Sequence, residues 1–530
     1  NGIADGTEGV ADPDDDKIPN YLDDDNDNDG LKDSLEKEIG SNPNKIDTDG
    51  DGYVDASEYA AAKYAVENGV TVNGTKITSI SQVINNNKIG VKDIFDFYFE
   101  LPYEGEKKND ILEFIPKVSK LDVVFNVDTS GSMSGTINNV KTNINNMINT
   151  IRSMVTDSGF ALVNFDDYPT GGYGYYKSGS TTYNDLPFRV LGKISTNATT
   201  VANYTKDSLF KVRYGGDGPE SGVESLHYIV TGKGVSWNKY DSNNPAGSLP
   251  NATNAPNTWG GVDFRDGTLP VVVHVTDAES HDSNSSPYSK SYVPNPHYSA
   301  DLLAAVKETG ARIIPLGVTY SNSTRRSQGL TWAKGSDAIV PVCAFGLSAT
   351  QCNLGDYKTS PETINGKEKQ CVLNYEGEES AVANMISTGI DALVKYGTYE
   401  VSTTIEGVPI PGSTKDTSCF IKQVVATAYV APPADPEKTC NPVAEPTKVG
   451  GSTYNNGFKN FAPGTSSVNK EGARLHFTVY AQNDNCVKPI EEAQTFTAYI
   501  NVVNPTTGLV FGRRQVSIIV PGEFDLDMSN

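Results

Sequence analysis

Two stretches near the start of the chain place a carboxylate at every second position, and no fold can gather them without a counter-charge. Asp25, Asp27, Asp29, Gly30, Leu31, Asp33 and Glu36 stand at positions 1, 3, 5, 6, 7, 9 and 12 of a loop. Asp47, Asp49, Asp51, Gly52, Tyr53, Asp55 and Glu58 repeat that pattern 22 residues later. Carboxylates in this alternation wrap one hard cation. The glycine allows the sharp turn, position 7 offers a backbone oxygen, and the final Glu closes the shell. A degraded third copy runs Asp12, Asp14, Asp16, Lys17, Ile18, Asn20, Asp23, with Lys17 in the glycine position. Gly2, Ile3, Asp5 and Glu8 match the second half of one more copy, so the native chain is expected to continue upstream. Residues 1–60 hold 15 Asp and 4 Glu against 4 Lys, which is most of the chain's net charge of −23. Such a block repels itself unless cations neutralise it.

The short, irregular spacing of these copies resembles thrombospondin type 3 repeats. The resemblance implies a Ca²⁺-filled rod over residues 1–62, with little hydrophobic core, acting as a stalk that stiffens at extracellular calcium levels. A paired EF-hand sensor is the alternative, but full flanking helices do not fit between the first three copies.

At 530 residues the chain is expected to hold about three or four domains. Its acidity repels nucleic acid and anionic membrane, so neither is expected as a primary partner. No apolar run approaches the length of a membrane span. The chain shows no initiator Met and no signal peptide, and a trimmed piece of something longer is expected.

From residue 119 the pattern changes. Leu121–Val127, Phe160–Phe165, Leu269–Thr276, Ala311–Val318 and Ala338–Val342 read as buried strands. Ile137, Val140, Ile144, Met147, Ile148, Ile151 and Val155 follow helical spacing, with Gly159 ending the helix. Val382, Met385, Ile386, Ile390, Leu393 and Val394 mark a last amphipathic helix before Gly397. Alternating strands and helices predict a doubly wound α/β unit with a mainly parallel sheet, whose ligand site lies at the carboxyl ends of the strands. There the sequence offers Asp128-Thr129-Ser130-Gly131-Ser132, then Gly215-Gly216-Asp217-Gly218-Pro219-Glu220, then Thr276-Asp277-Ala278-Glu279-Ser280-His281. One carboxylate and two hydroxyls from a single turn, with carboxylates from two other loops, suit Mg²⁺ and leave it electrophilic.

Residues 119–397 thereby resemble a von Willebrand factor A domain, a Rossmann-like fold, with a metal-ion-dependent adhesion site of the integrin β-subunit kind. The resemblance implies that Asp128, Ser130, Ser132, Glu220 and Asp277 hold Mg²⁺ (or Mn²⁺). It also implies an adjacent Ca²⁺ site with Asp167, Asp217, the Pro219 carbonyl and Glu220 as ligands, although Gly215 stands where the family has an Asn. The flanking site on the other side needs an acidic pair where this chain has Gly135-Thr136, so that site is expected to be missing. Two long insertions, residues 166–187 and 231–268, flank the site. Their aromatics Tyr173, Tyr175, Trp237 and Trp259 either meet a ligand or anchor the loops to their own domain.

Six cysteines, Cys343, Cys352, Cys371, Cys419, Cys440 and Cys486, are spaced too irregularly for zinc and are expected to form disulfides in an oxidising compartment. Residues 398–530 alternate apolar and polar at period two, as in Leu475, Phe477, Val479, Ala481 and in Phe496, Ala498, Ile500, Val502. They predict an antiparallel β-sandwich, immunoglobulin-like or of the integrin hybrid kind. Residues 63–118 are expected to join the repeats to the α/β unit and to lend strands to that sandwich. No His-Glu-x-x-His motif, Walker loop or Gly-x-Ser-x-Gly elbow at Ser130 supports catalysis. The expectation is a secreted or cell-surface adhesion protein, not an enzyme, that grips an Asp or Glu of a partner. A self-assembling subunit of a fibre, sheath or matrix is the alternative.

Overall fold

The computed structural model describes residues 9–85, 88–115, 117–318, 322–346, 348–430, 457–461 and 474–522. The half-copy around Gly2–Glu8 and Cys440 lie outside them. Of the three acidic loops near the start, the two full copies each run into a helix: α1, Asp33–Ile39, and α2, Asp55–Asn68. Two strands follow, β1 at Tyr98–Glu100 and β2 at Lys108–Phe114.

The α/β unit starts with β3, Lys120–Asp128, then helix α3, Ser134–Met154, strand β4, Asp157–Phe165, and strand β5, Arg189–Ser195. Helix α4 spans Gly222–Thr231, strand β6 Leu269–Thr276, helix α5 Ser299–Thr309, strand β7 Arg312–Val318 and helix α6 Ser323–Gly335. Strand β8, Tyr375–Gly377, and helix α7, Val382–Tyr396, complete it. The sheet order is β8-β7-β6-β3-β4-β5. All neighbours are parallel except β5, which runs antiparallel at the edge.

Burial on both faces explains the unbroken apolar strands. In β3, Leu121, Val123, Phe125 and Val127 pack with Ile144, Met147 and Ile148 of α3 and Ile386 and Ile390 of α7. Val124 points the other way, to Val223, Leu226 and Ile229 of α4, Leu302 of α5 and Trp332 of α6. Period two in the strand thus feeds two separate layers.

Three local expectations change. Gly159 does not end α3, which stops at Met154, but lies inside β4. A side chain there would meet Asp122 Oδ1 and Ile194 Cγ2, each at 2.6 Å. Ile339–Pro341 is a strand, but it pairs antiparallel with Lys367–Val372 in a separate small sheet. The edge of the main sheet is β8 instead, only three residues long.

Six more strands build the sandwich, beginning with β9, Tyr399–Glu406; β10, Ile421–Val430; β11, Gly457–Phe461; β12, Arg474–Ala481; and β13, Gln494–Val503. The last strand, β14, is Val510–Val520. One sheet is ordered β11-β9-β13-β14-β1 and the other β10-β12-β2. Strands from before and after the α/β unit therefore share both sheets, and that unit sits as an insertion between them. Leu475, Phe477, Val479 and Ala481 of β12 are buried in strict alternation. In β14 Ser517 and Ile519 are buried as well. Ile519 packs with Ala60, Ala61, Val91 and Phe95, so α2 covers the sheet's outer face.

The expected rod with little core is corrected by this contact. Leu31, Ala56 and Tyr59 of the repeats form a small core with Ile84 of the segment that follows. Lys32–Glu491 at 3.1 Å and Lys63–Glu492 at 2.6 Å tie the repeat region to the segment just before β13. Disulfides join Cys352 to Cys371 and Cys419 to Cys486, and Cys343 is disulfide-bonded too. No helix among the described residues is long and apolar enough to cross a membrane.

Candidate metal centres

The three acidic loops share one wiring, set by residues close in sequence. The position-1 carboxylate accepts the position-6 amide: Gly30 to Asp25 at 3.0 Å, Gly52 to Asp47 at 2.9 Å, Lys17 to Asp12 at 3.0 Å. The position-5 carboxylate accepts the position-7 amide: Leu31 to Asp29 at 2.8 Å, Tyr53 to Asp51 at 3.0 Å, Ile18 to Asp16 at 2.7 Å. Position 3 does the same for position 5 in Asp27, Asp49 and Asp14. In the two full copies position 9 accepts a loop amide, Asn26 to Asp33 at 3.0 Å and Thr48 to Asp55 at 2.8 Å. Position 6 is left-handed in each, with φ of 95° at Gly30, 98° at Gly52 and 77° at Lys17. The degraded copy keeps the turn although its residue pays a steric penalty there. Asn20 and Asp23 at its far end are buried.

These hydrogen bonds turn the remaining carboxylate oxygens inward. Asp25, Asp27 and Asp29 bring ligand atoms within 4.8 Å of one another, as do Asp12, Asp14, Asp16 and Asp47, Asp49, Asp51. Glu36 and Glu58, at position 12, are fully buried. Glu36 Oε2 and both carboxylate oxygens of Glu58 have no hydrogen-bond partner. Burial first, and then the neighbouring aspartates, push both Glu36 and Glu58 up to about 9. Buried carboxylates with unpartnered oxygens fit an oxygen-coordinated Ca²⁺. Asp29 Oδ2 also accepts the Ala56 amide at 3.1 Å, joining the Asp25–Glu36 loop to the start of α2.

The second centre lies at the carboxyl end of β3. Asp128 is fully buried. Its Oδ1 accepts the Ser130 amide at 2.8 Å and its Oδ2 accepts the Thr276 hydroxyl at 2.6 Å. Burial, and then the charge of Asp277, raise Asp128 to about 7. Ser130, Ser132, Glu220 and Asp277 line one open cavity of about 480 Å³ together with Asp217, Tyr214, Glu279 and Asn322. Glu220 is buried and its Oε2 has no hydrogen-bond partner. Burial and the charges of Asp128 and Asp167 push its carboxyl well above the usual range. Its backbone pairs with the third loop: Glu220 N–H donates to Glu279 O at 2.8 Å, and His281 N–H to Glu220 O at 3.0 Å. This short ladder fixes two loops that lie far apart in sequence. Two hydroxyls and inward carboxylates beside an open cavity fit a six-coordinate Mg²⁺ that keeps waters.

Beside it, Asp167 and Asp217 come together, with His281 between them. His281 Nε2 lies 3.1 Å from Asp167 Oδ2 and 3.6 Å from Asp217 Oδ2. Burial alone would lower His281, but Asp167 outweighs it and holds the ring at about 10. Pro219 is half-buried on the same loop. Gly215 has a φ of 63°, and a side chain there would meet Glu220 Oε1 at 2.5 Å, so no side-chain ligand fits at that position.

Of the four aromatics, Trp237 is buried, stacks edge-on with Tyr168 and donates to Pro245 O at 3.1 Å. Trp259 tilts against Phe264. Tyr173 packs edge-on against His281 and Tyr288, and Tyr175 against Tyr214. Trp237 thus packs across both insertions into the domain core, and Trp259 packs within its own insertion. The aromatic exposed at the cavity is Tyr214. It follows no strand and belongs to no motif, so its position emerges only from the fold. Asn322, which donates to Glu279 of the third loop, likewise reaches the cavity only through the fold.

The bacterial TSP3 repeat family matches residues 25–46 and 47–61. Those residues thus carry two TSP3 repeats, whose acidic clusters are suited to calcium. No curated protein sequence matches the chain. Among solved structures, proximal thread matrix protein 1 from the mussel byssus is similar at a TM-score of 0.28 and 9% identity, over 56% of this chain and 50% of that one. The pilus adhesin SpaC from Lactobacillus rhamnosus GG is similar at a TM-score of 0.29 and 11% identity, over 79% of this chain and 46% of that one. The chain thus spans about half the length of each of these structures.

Proposed function

We propose that this chain is an extracellular adhesion protein, secreted or held at a cell surface, with an adhesion site of the von Willebrand factor A kind. Asp128, Ser130, Ser132 and Glu220 would hold Mg²⁺ (or Mn²⁺), with Asp277 balancing its charge from the third loop. When bound, the ion supplies an electrophilic position for an Asp or Glu carboxylate of a partner protein. The observation that carries this reading is Glu220 Oε2, buried and without a hydrogen-bond partner at the edge of a cavity that Ser130 and Ser132 also line. Such an oxygen costs free energy until a cation or proton meets it.

This chain's own residues do the positioning. Thr276 and the Ser130 amide fix both oxygens of Asp128. The Glu220–His281 ladder holds the second carboxylate against the third loop. The TSP3 repeats, packed on the sandwich through Ala60, Ala61 and Ile519, would act as a calcium-dependent brace at its base. Disulfides and calcium repeats support an oxidising, calcium-rich compartment. A non-catalytic role is part of the proposal: the buried histidines outside the site serve packing, His274 stacking on Phe165 and His227 on His297.

The test is capture of partners from native surface material by wild type and Asp128→Ala, each with and without EDTA. Recovery by wild type alone, and only without EDTA, is expected. Equal recovery in all four arms overturns the reading. A fibre or matrix subunit gripping its own kind is the second reading. It predicts that purified chain with Ca²⁺ and Mg²⁺ sediments as polymers that chelator dissolves.

A further inference from the structure

Among the described residues, four groups bring three ligand atoms within 4.8 Å, and three of those groups are aspartate only. The fourth contains a nitrogen: Asp167, Asp217 and His281. Its surroundings are built to present ligand atoms. His281 Nδ1 is hydrogen-bonded to the Ser286 carbonyl. A carbonyl only accepts, so Nδ1 donates to it and Nε2 is the ring atom that faces the carboxylates. Asp167 Oδ1 accepts both the Tyr288 hydroxyl at 2.7 Å and the Tyr168 amide at 2.6 Å, which leaves Oδ2 turned the other way. Fixing the far atom of each ligand is how outer-shell partners orient metal-binding side chains.

The two inward atoms face each other as an ion pair but not as a hydrogen bond. Asp167 is 0% and His281 3% exposed, yet Asp167 Oδ2 and His281 Nε2 each have no hydrogen-bond partner. They sit 3.1 Å apart without hydrogen-bonding geometry. Two atoms bound to one ion at about 2.0–2.2 Å are separated by roughly 2.9–3.5 Å. Asp217 Oδ2, at 3.6 Å from Nε2, is on a side chain that is 38% exposed and can close the remaining gap.

We propose that Asp167 Oδ2, Asp217 Oδ2 and His281 Nε2 form a nitrogen-bearing site for a borderline divalent ion of the Zn²⁺ class, beside the oxygen-only centre at Asp128. An imidazole ligand favours zinc-like ions, whereas Ca²⁺ takes oxygen. Solvent fills the remaining coordination on the Asp217 side. The ion would tie three loops together and hold the Glu220–His281 ladder in place. The site stands on its own geometry and does not depend on the adhesion reading.

The test uses the full chain, stripped with chelator, refilled with saturating Ca²⁺ and Mg²⁺, exposed to Zn²⁺ and desalted. Metal analysis is expected to find one Zn²⁺ per chain in wild type, none in His281→Gln, and one still in Asp128→Ala. Thermal melts in Ca²⁺ check that His281→Gln folds. If it does not, Asp217→Asn, on an exposed side chain, replaces it and is expected to weaken Zn²⁺ binding at least about tenfold. Pulsed electron paramagnetic resonance of wild type loaded with Cu²⁺ in place of Zn²⁺ should show coupling to a directly bound imidazole nitrogen. A wild type that retains no Zn²⁺, or a folded His281→Gln that retains as much as wild type, overturns the proposal. Zinc retained in Asp128→Ala while partner capture is lost separates this site from the adhesion centre.

Discussion

The Thr276 hydroxyl donates a 2.6 Å hydrogen bond to Asp128 Oδ2, joining the carboxyl ends of two adjacent parallel strands at the candidate Mg²⁺ centre. Asp128 therefore cannot rotate away when no ion is present. Thr276→Val keeps the shape and removes the hydroxyl. Mg²⁺ affinity is expected to fall about 10–100-fold, the usual consequence of losing an outer-shell partner. Calorimetric titration with Mg²⁺ in saturating Ca²⁺ measures it, and an unchanged affinity would remove Thr276 from the site's design.

Calcium removal should make the repeats sensitive to alkali rather than acid. Burial first, then crowding with other carboxylates, holds Asp27 at about 6, Asp25 at about 7, Asp29 at about 8 and Glu58 at about 9. Each lies above the unfolded value of about 4, so the folded state binds more protons. The stability this contributes is present at low pH and is lost as pH rises through roughly 6 to 9. Chelated protein is expected to melt at a higher temperature at pH 5 than at pH 9, and saturating Ca²⁺ should abolish that slope. A chelated protein more stable at pH 9 would contradict the prediction.

Much of this was legible because the governing contacts are local. The calcium loops are wired by amides two to seven residues from their carboxylates, so spacing in the sequence is nearly geometry. The Asp128-x-Ser130-x-Ser132 turn is local in the same way. Period two in Leu475 to Ala481 gave its buried face directly. What stayed hidden depends on distant segments. His281 reaches Asp167 only because the Glu220 and Glu279–His281 backbones pair. Strand β8 is too short to show periodicity, and Ile519 is buried only because α2, more than 400 residues earlier, lies on it. For the tryptophans the sequence left ligand contact and anchoring both open, and Trp237 is buried against Tyr168 of the other insertion.

Lys17 holds a left-handed turn that glycine holds in the two full repeats, with φ of 77°. An L-residue pays about 1–2 kcal/mol there, and glycine returns roughly 0.5–1 kcal/mol of that in chain entropy. Lys17→Gly should therefore stabilise the first loop by up to about 1 kcal/mol, seen as slower amide exchange at Ile18 and tighter Ca²⁺ binding. Faster exchange would contradict it.

Arg265 binds two carboxylates at the opposite end of the sheet, with Nε 2.8 Å from Asp122 Oδ1 and Nη1 2.5 Å from Asp157 Oδ1. Asp122 is fully buried. Arg265→Ala strands that carboxylate and is expected to cost about 3 kcal/mol, the lower end of the range for broken buried pairs because Arg265 is itself 26% exposed. Chemical denaturation measures it, and a loss below about 1 kcal/mol would place the pair with surface bridges.

The central claim is that a divalent cation sits among Ser130, Ser132 and Glu220 with room for a partner's carboxylate. Crystals soaked in Mn²⁺ with Ca²⁺ present, and measured at the manganese edge, test it most directly. The account predicts an anomalous peak within bonding distance of those three side chains in wild type and none in Asp128→Ala. A wild-type map with no peak there would contradict it.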